Sequence, residues 1–222
     1  DALGSADRPV VRPVLMASDE AGATVSLMPE GALLLAGDAI AIDVSVGPGA
    51  RVELVEPAGT VAYGMDGGSA SWDVTIELAA GATLMWAAEP FVVAEGATVE
   101  RSTTIRLGDA AVMAWRETLV LGRHGERSGH LRQVLEVTDD DDVPMLVEEL
   151  EVGPGSSRLL LGGARTIGSV LVLGHRLPAG DADEAGTRLE LEADGTMLRH
   201  LADEAHRASP AWAWAAARRV VG

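Results

Sequence analysis

The stretch Ile105–Glu126, IRLGDAAVMAWRETLVLGRHGE, decides how this chain folds. Counting by two from Met113 places Met113, Trp115, Glu117, Leu119 and Leu121 on one side, and Val112, Ala114, Arg116, Thr118 and Val120 on the other. That alternation predicts an extended strand running into a turn marked by Gly122 and Gly125. It also sets one acid, Glu117, in an apolar row. An ionised carboxylate there needs an arginine, a hydrogen-bond network or a water-filled passage beside it. Arg116 and Arg123 are the expected ion-pair partners.

The same period recurs on both sides of this stretch. Ala39–Val46 turns Ile40, Ile42, Val44 and Val46 one way, and Ser71–Leu78 does so with Trp72, Val74, Ile76 and Leu78. Val99–Leu107 and Leu131–Val137 repeat the pattern, whereas Leu84–Ala88 and Leu159–Leu161 are apolar throughout and are also read as extended. Glycine, proline or aspartate closes each run. Val46-Gly47-Pro48-Gly49-Ala50 recurs as Val152-Gly153-Pro154-Gly155-Ser156, and Gly-Ala pairs precede strands at Ala50, Ala82 and Ala97. The spacings are unequal, so no regular solenoid repeat is read from them.

A mostly β, single domain over residues 1–222 follows, with many short strands in stacked sheets of β-helical character and a short C-terminal helix. Residues 1–20 are expected to be irregular. The helix is expected over 209–220, with Ser209 as N-cap, Pro210 at the first helical position, and Arg218 and Arg219 near the negative end of the dipole. Trp212 and Trp214 are two apart and cannot share one narrow face. Either one packs on the sheet and the other is partly exposed, or they serve a partner protein.

With 34 acids against 17 basic residues, all of the latter arginine, the net charge is −17. Such a field opposes nucleic acid and anionic membrane surfaces, and favours a cation or a basic protein surface. No cysteine is present, which excludes disulfides and thiolate metal sites. No apolar run approaches the ~20 residues of a membrane span, and Asp1–Ser5 lacks signal-peptide character, so the chain reads as cytoplasmic. Asp139–Asp142 is expected to be a solvated hairpin tip held open by like-charge repulsion, and Ala179–Gly186 a flexible acidic loop. The five histidines form no zinc-binding spacing, and no Walker loop, dinucleotide fingerprint or nucleophile elbow occurs.

The turn Leu121-Gly122-Arg123-His124-Gly125-Glu126, following a strand that carries Glu117, resembles a signature of the urease accessory protein UreD (UreH) family. Ala36-Gly37-Asp38 is similar to the end of that family's glycine-rich segment, and Thr60-Val61-Ala62-Tyr63 to its threonine-to-tyrosine motif. Gly81-Ala82-Thr83-Leu84-Met85-Trp86 with Glu89-Pro90, and Arg199-His200-Leu201 with the tryptophan-rich end, complete a likeness over residues 30–220. Glu56-Pro57-Ala58 departs from it, standing where the family has a polar step.

The resemblance implies a non-enzymatic factor that binds the urease apoprotein together with UreF and the GTPase UreG. Such a factor helps nickel reach the urease active site through an internal wet passage. No tightly bound cofactor is implied, only nickel in transit, for which oxygen and water are suitably loose ligands. On that reading Glu117 and Asp38 line the passage, Glu89 and Glu126 are further acids along it, and Arg123 and Tyr63 support them. The alternative is a β-fold glycan hydrolase using Asp38 with Glu117, or Glu117 with Glu126, as paired carboxylates. With one tyrosine and one phenylalanine, five tryptophans would have to serve both core and sugar stacking.

Overall fold

Each alternating run becomes a strand, and successive coils of chain stack so that equivalent strands lie side by side. The computed structural model describes residues 11–31, 34–179, 186–208 and 211–222. Four strands, β3 (Ala39–Val46), β6 (Ala70–Leu78), β9 (Thr98–Leu107) and β11 (His130–Asp139), run parallel in one sheet. β12 (Pro144–Val152) closes that sheet antiparallel to β11. After β3, β6 and β9 the chain crosses to a second sheet as β4 (Arg51–Val55), β7 (Thr83–Ala87) and β10 (Val112–Leu121), again parallel. The short strands β5 (Thr60–Ala62) and β8 (Phe91–Val93) extend this side.

The turns stack as the strands do. Gly49 N–H donates to Ala80 O at 3.0 Å, and Gly81 N–H to Asp109 O at 2.8 Å. Gly49, Gly81 and Ala110 occupy one position in three successive coils, all with positive φ (64°, 67° and 53°). Two Gly-Ala pairs, at Ala50 and Ala82, therefore mark equivalent turns, which unequal strand and loop lengths concealed in the sequence. Residues 46–50 and 152–156 share a turn bond, Ala50 N–H to Gly47 O and Ser156 N–H to Gly153 O, each at 3.1 Å, but Gly49 has positive φ and Gly155 does not, and the two turns lead to different elements. The first joins β3 to β4, whereas the second leads into a helix, α1 (Ser157–Leu161). Leu159–Leu161, expected to be extended, thus lies in that helix, with Gly162 ending it in the left-handed region at φ 60°.

The second sheet continues through antiparallel β13 (Thr166–Leu173), β15 (Gly195–Ala202) and β14 (Thr187–Glu190). At its other edge β1 (Val11–Asp19) pairs with β2 (Gly22–Pro29), which adjoins β4. Residues 11–19, expected to be irregular, are therefore a strand. They are mostly exposed and held by backbone pairing, so no hydrophobic alternation betrays them. Two short helices end the described chain, α2 (Ala205–Ala208) and α3 (Ala211–Val221). The expected cap at Ser209 and Pro210 lies outside the described residues, as do residues 180–185 of the acidic loop.

Between the sheets lies the main core, with Ile76, Leu84, Ile105, Met113, Leu121 and Leu131 fully buried. A smaller cluster forms on the outer face of the second sheet, where Ala213, Trp214 and Ala217 of α3 cover Met85, Ala114, Val170 and Val172. β10 is accordingly covered on both faces, which explains why Ala114 and Thr118, on its second face, are buried too. The Asp139–Asp142 tip does join two strands, but it is not held open by repulsion. Arg106 Nη1 donates to Asp142 Oδ1 at 2.6 Å and Nη2 donates to Asp140 O, closing the tip over a guanidinium.

Candidate functional site

Strand register brings polar side chains from distant parts of the chain into two facing rows. In the second sheet Glu117 of β10 is opposite Ser169 of β13, and Ser169 is opposite Arg199 of β15. Across the interior, Arg101 of β9 is opposite Gln133 of β11. Glu148 of β12, paired with Leu135 in that sheet, borders the same interior cavity as Glu117, Gln133, Ser169 and Arg199.

Glu117 is 8% exposed, and so is its partner Arg101. Arg101 Nη2 lies 2.7 Å from Glu117 Oε1, and Arg101 Nη1 donates to Gln133 Oε1 at 2.7 Å. Gln133 Nε2 donates to Glu117 Oε2 at 3.1 Å, closing a triangle. The guanidinium also sits 4.2 Å above the centre of the Phe91 ring. Arg101 Nε and Glu117 Oε1 nonetheless have no aligned hydrogen-bond partner among the described residues. Buried polar atoms of this kind are where ordered water is held.

The partner of Glu117 is thus Arg101 rather than Arg116 or Arg123. Arg116 is the next residue along the strand and points to the opposite face, where it meets Glu89 at 3.7 Å and the Trp214 ring at 5.6 Å. Arg123 lies past the strand end, and its Nε donates to Glu126 Oε1 at 2.8 Å. Arg101 was legible by the same count that found Glu117. It occupies an inward position in the row Val99, Arg101, Thr103, Ile105, Leu107.

Two further carboxylates extend the row. Glu56, just after β4, accepts hydrogen bonds from Trp86 Nε1 at 2.9 Å and from the Glu89 backbone N–H at 3.1 Å. Burial pushes its carboxyl up to about 7, with the Glu117 charge adding to the rise and those two donors and Arg101 opposing it. On the other side Glu148 accepts from both terminal nitrogens of Arg199, at 2.5 and 2.8 Å, while Arg199 Nε donates to Ser169 Oγ at 3.3 Å. The result is a polar seam across the interior, running Glu56, Arg101 with Glu117, Gln133 and Ser169, then Arg199 with Glu148. Beside Glu117 the cavity has only about 10 Å³ open to the centre of a water molecule, roughly one water.

The other expected residues fall in different places. Asp38 is half-buried before β3, where Oδ2 accepts the Leu35 N–H at 2.8 Å, and it does not border the Glu117 cavity. Glu89 reaches the seam only through its backbone bond to Glu56. Glu126 lies on the turn after β10, its carboxyl held down to about 2 by hydrogen bonding to Arg123. Arg123 lies 5.9 Å from the Tyr63 ring, so Glu126, Arg123 and Tyr63 form a cluster of their own. Arg165 braces that turn by donating to the carbonyls of Gly122, Arg123 and Glu126 at 3.0, 2.6 and 2.8 Å. Trp214 is 8% exposed under α3, and Trp212 is half-buried. Among the described residues no group of three or more His, Asp or Glu is arranged to hold a metal ion, and no helix is long and apolar enough to cross a membrane.

A family model described as UreD urease accessory protein matches residues 10–222. Urease accessory protein UreD 1 of Streptomyces griseus subsp. griseus is 43% identical over 197 residues, spanning 87% of this chain and 75% of its own length. Urease accessory protein UreD of Frankia alni is 37% identical over 206 residues, covering 82% of this chain and 69% of that protein. A third relative, urease accessory protein UreD 3 of Streptomyces griseus subsp. griseus, is 30% identical over 198 residues, covering 78% and 76%.

Proposed function

The chain belongs to the UreD family of urease accessory proteins, and from that premise we propose that it is a non-enzymatic maturation factor whose polar seam carries nickel toward the urease active site. One observation carries the nickel route: a carboxylate, Glu117, held in an otherwise apolar row where it meets a guanidinium and a carboxamide rather than hydrocarbon. A purely packing role would favour an apolar residue here, since replacing a buried ion pair by hydrocarbon is often neutral or stabilising. The oxygens of Glu117, Gln133, Ser169 and Glu148 are hard, exchangeable ligands, and with no cysteine in the chain there is no thiolate to trap the metal.

In this reading the chain works in the cytoplasm with the urease apoprotein, UreF and the GTPase UreG. The acidic surface attracts the cation and basic partner surfaces. Glu117 is the central waypoint, with Glu56 and Glu148 beside it along the seam; Asp38, expected to line the passage with Glu117, and Glu126, expected as a further acid along it, do not border the Glu117 cavity. Glu89 supports Glu56, and Trp212, the more exposed of the two α3 tryptophans, is offered to a partner.

The test is Glu117→Gln, which keeps the side chain's shape and one acceptor oxygen for Arg101 while removing the charge and giving up the bond from Gln133 Nε2. The variant should fold and join the urease complex yet yield urease poor in nickel. Wild-type nickel loading would sink the route. Glycan hydrolysis gains nothing from this geometry: room for one water beside Glu117 does not admit a saccharide, and Glu126 is committed to Arg123.

A further inference from the structure

Of the two ion pairs in the seam, the Arg199–Glu148 pair is the more accessible. Arg101 and Glu117 have side chains 7% and 10% exposed, whereas those of Arg199 and Glu148 are 25% and 24% exposed. The outer pair also spans the two sheets. Glu148 belongs to β12, the edge strand of one sheet, and Arg199 to β15, which in the other sheet is followed only by the short β14. Behind it lie Ser169 Oγ and the Glu117 carboxylate, and hydrogen bonding to Glu148 raises the Arg199 pKa, with the Glu148 and Glu117 charges adding to the rise and burial opposing it. The guanidinium is therefore a positive group set among two carboxylates and a hydroxyl, with the Met197 sulfur 3.4 Å from its Nη2.

Resting on the reading of the seam as a cation route, we propose that Arg199 is a tethered counter-ion that plugs its outer mouth, and that a hydrated divalent cation displaces it from Glu148 on the way to Glu117. Three features argue for this. The cavity left with Arg199 in place holds about one water, too little for a hydrated ion, so passage requires a side chain to leave. Arg199 is the group able to leave, because it is partly solvated and its long stem can swing outward while keeping the charge in water. A divalent ion replacing it brings twice the charge to the same two carboxylates, so exchange conserves attraction where simple opening would leave Glu148 unpaired.

The plug is tested by titrating nickel ion into the purified full-length chain and its variants by calorimetry. Arg199→Gln should bind nickel about tenfold more tightly than the parent, because the resident competitor is gone. Adding Glu148→Gln to that variant should abolish the gain, which assigns it to the mouth rather than to surface acids. Nickel affinity unchanged in Arg199→Gln overturns the plug. Should Arg199→Gln fail to fold, Arg199→Lys keeps one positive charge without the two-pronged contact. It should bind nickel severalfold more tightly, and unchanged affinity there overturns the plug equally. The two ideas fail separately: normal urease loading by Glu117→Gln removes the route and leaves the Arg199 affinity change standing. Unchanged affinity in Arg199→Gln with poor loading by Glu117→Gln removes only the plug.

Discussion

Arg101 sets the electrostatics of the seam, since it faces Glu117, bonds Gln133 and lies over Phe91 at once. Removing it alone strands the Glu117 charge in the core, so Arg101→Met should cost about 3–5 kcal/mol, read as a fall in the urea midpoint. Combining Arg101→Met with Glu117→Leu should restore most of that loss, because no unpaired charge remains. Glu56 gives a pH prediction. Its folded carboxyl is raised from 4.5 to about 7, so between those values the folded state keeps a proton that the unfolded chain has released. Stability therefore falls as pH rises through this window, and the deficit persists above it, reaching at most about 3 kcal/mol. Glu56→Gln should raise the melting temperature above pH 7, and the difference from the parent should shrink as the pH is lowered toward 4.5. A gain that is the same at all pH values would remove Glu56 as its source.

Among the elements, the strands were legible because each has a wet face or a glycine boundary: Ala39–Val46 matches β3 residue for residue, and β6, β9 and β11 extend the expected runs by one to three residues. Three things were not. β1 has no buried stripe to announce it, and the five-residue α1 is too short to show a helical period. Pairing across sheets was also hidden. Glu117 was visible as an acid in an apolar row, but whether it met Arg101, Arg116 or Arg123 depended on how coils stack, which the unequal loops obscure. The same holds for Glu148 and Arg199, which lie 51 residues apart in sequence. The turn after β10 follows from local sterics. Gly122 has φ 85°, and a Cβ there would stand 2.5 Å from Arg127 O. Gly122→Ala should therefore cost more than about 1 kcal/mol and speed hydrogen exchange across 122–128, whereas Gly125→Ala, with open space around its Cβ, should cost less in the same measurements. At the C-terminus Trp214→Ala should cost about 3–5 kcal/mol in denaturant unfolding, and Trp212→Ala much less, because only Trp214 is fully covered.

Taken whole, the described residues form a stack of coils, capped along one sheet by α3, in which apolar packing holds two sheets together and a transverse band of charge interrupts it. The packing sets the register, and the register aligns Glu117, Ser169 and Arg199 without any local sequence motif to mark the row. The cost of keeping such charges in a core argues for a role of the band beyond stability, and the role proposed for it is in urease maturation. The most direct measurement is the nickel content and activity of urease purified from the protein's own host, comparing the wild-type chain, its deletion and Glu117→Gln. The account predicts that deletion and Glu117→Gln both leave the urease subunits present but poor in nickel and activity, with the variant still folded and bound to its complex. Urease fully loaded in the Glu117→Gln host would contradict the route through the seam, and urease fully loaded in the deletion host would contradict the maturation role itself.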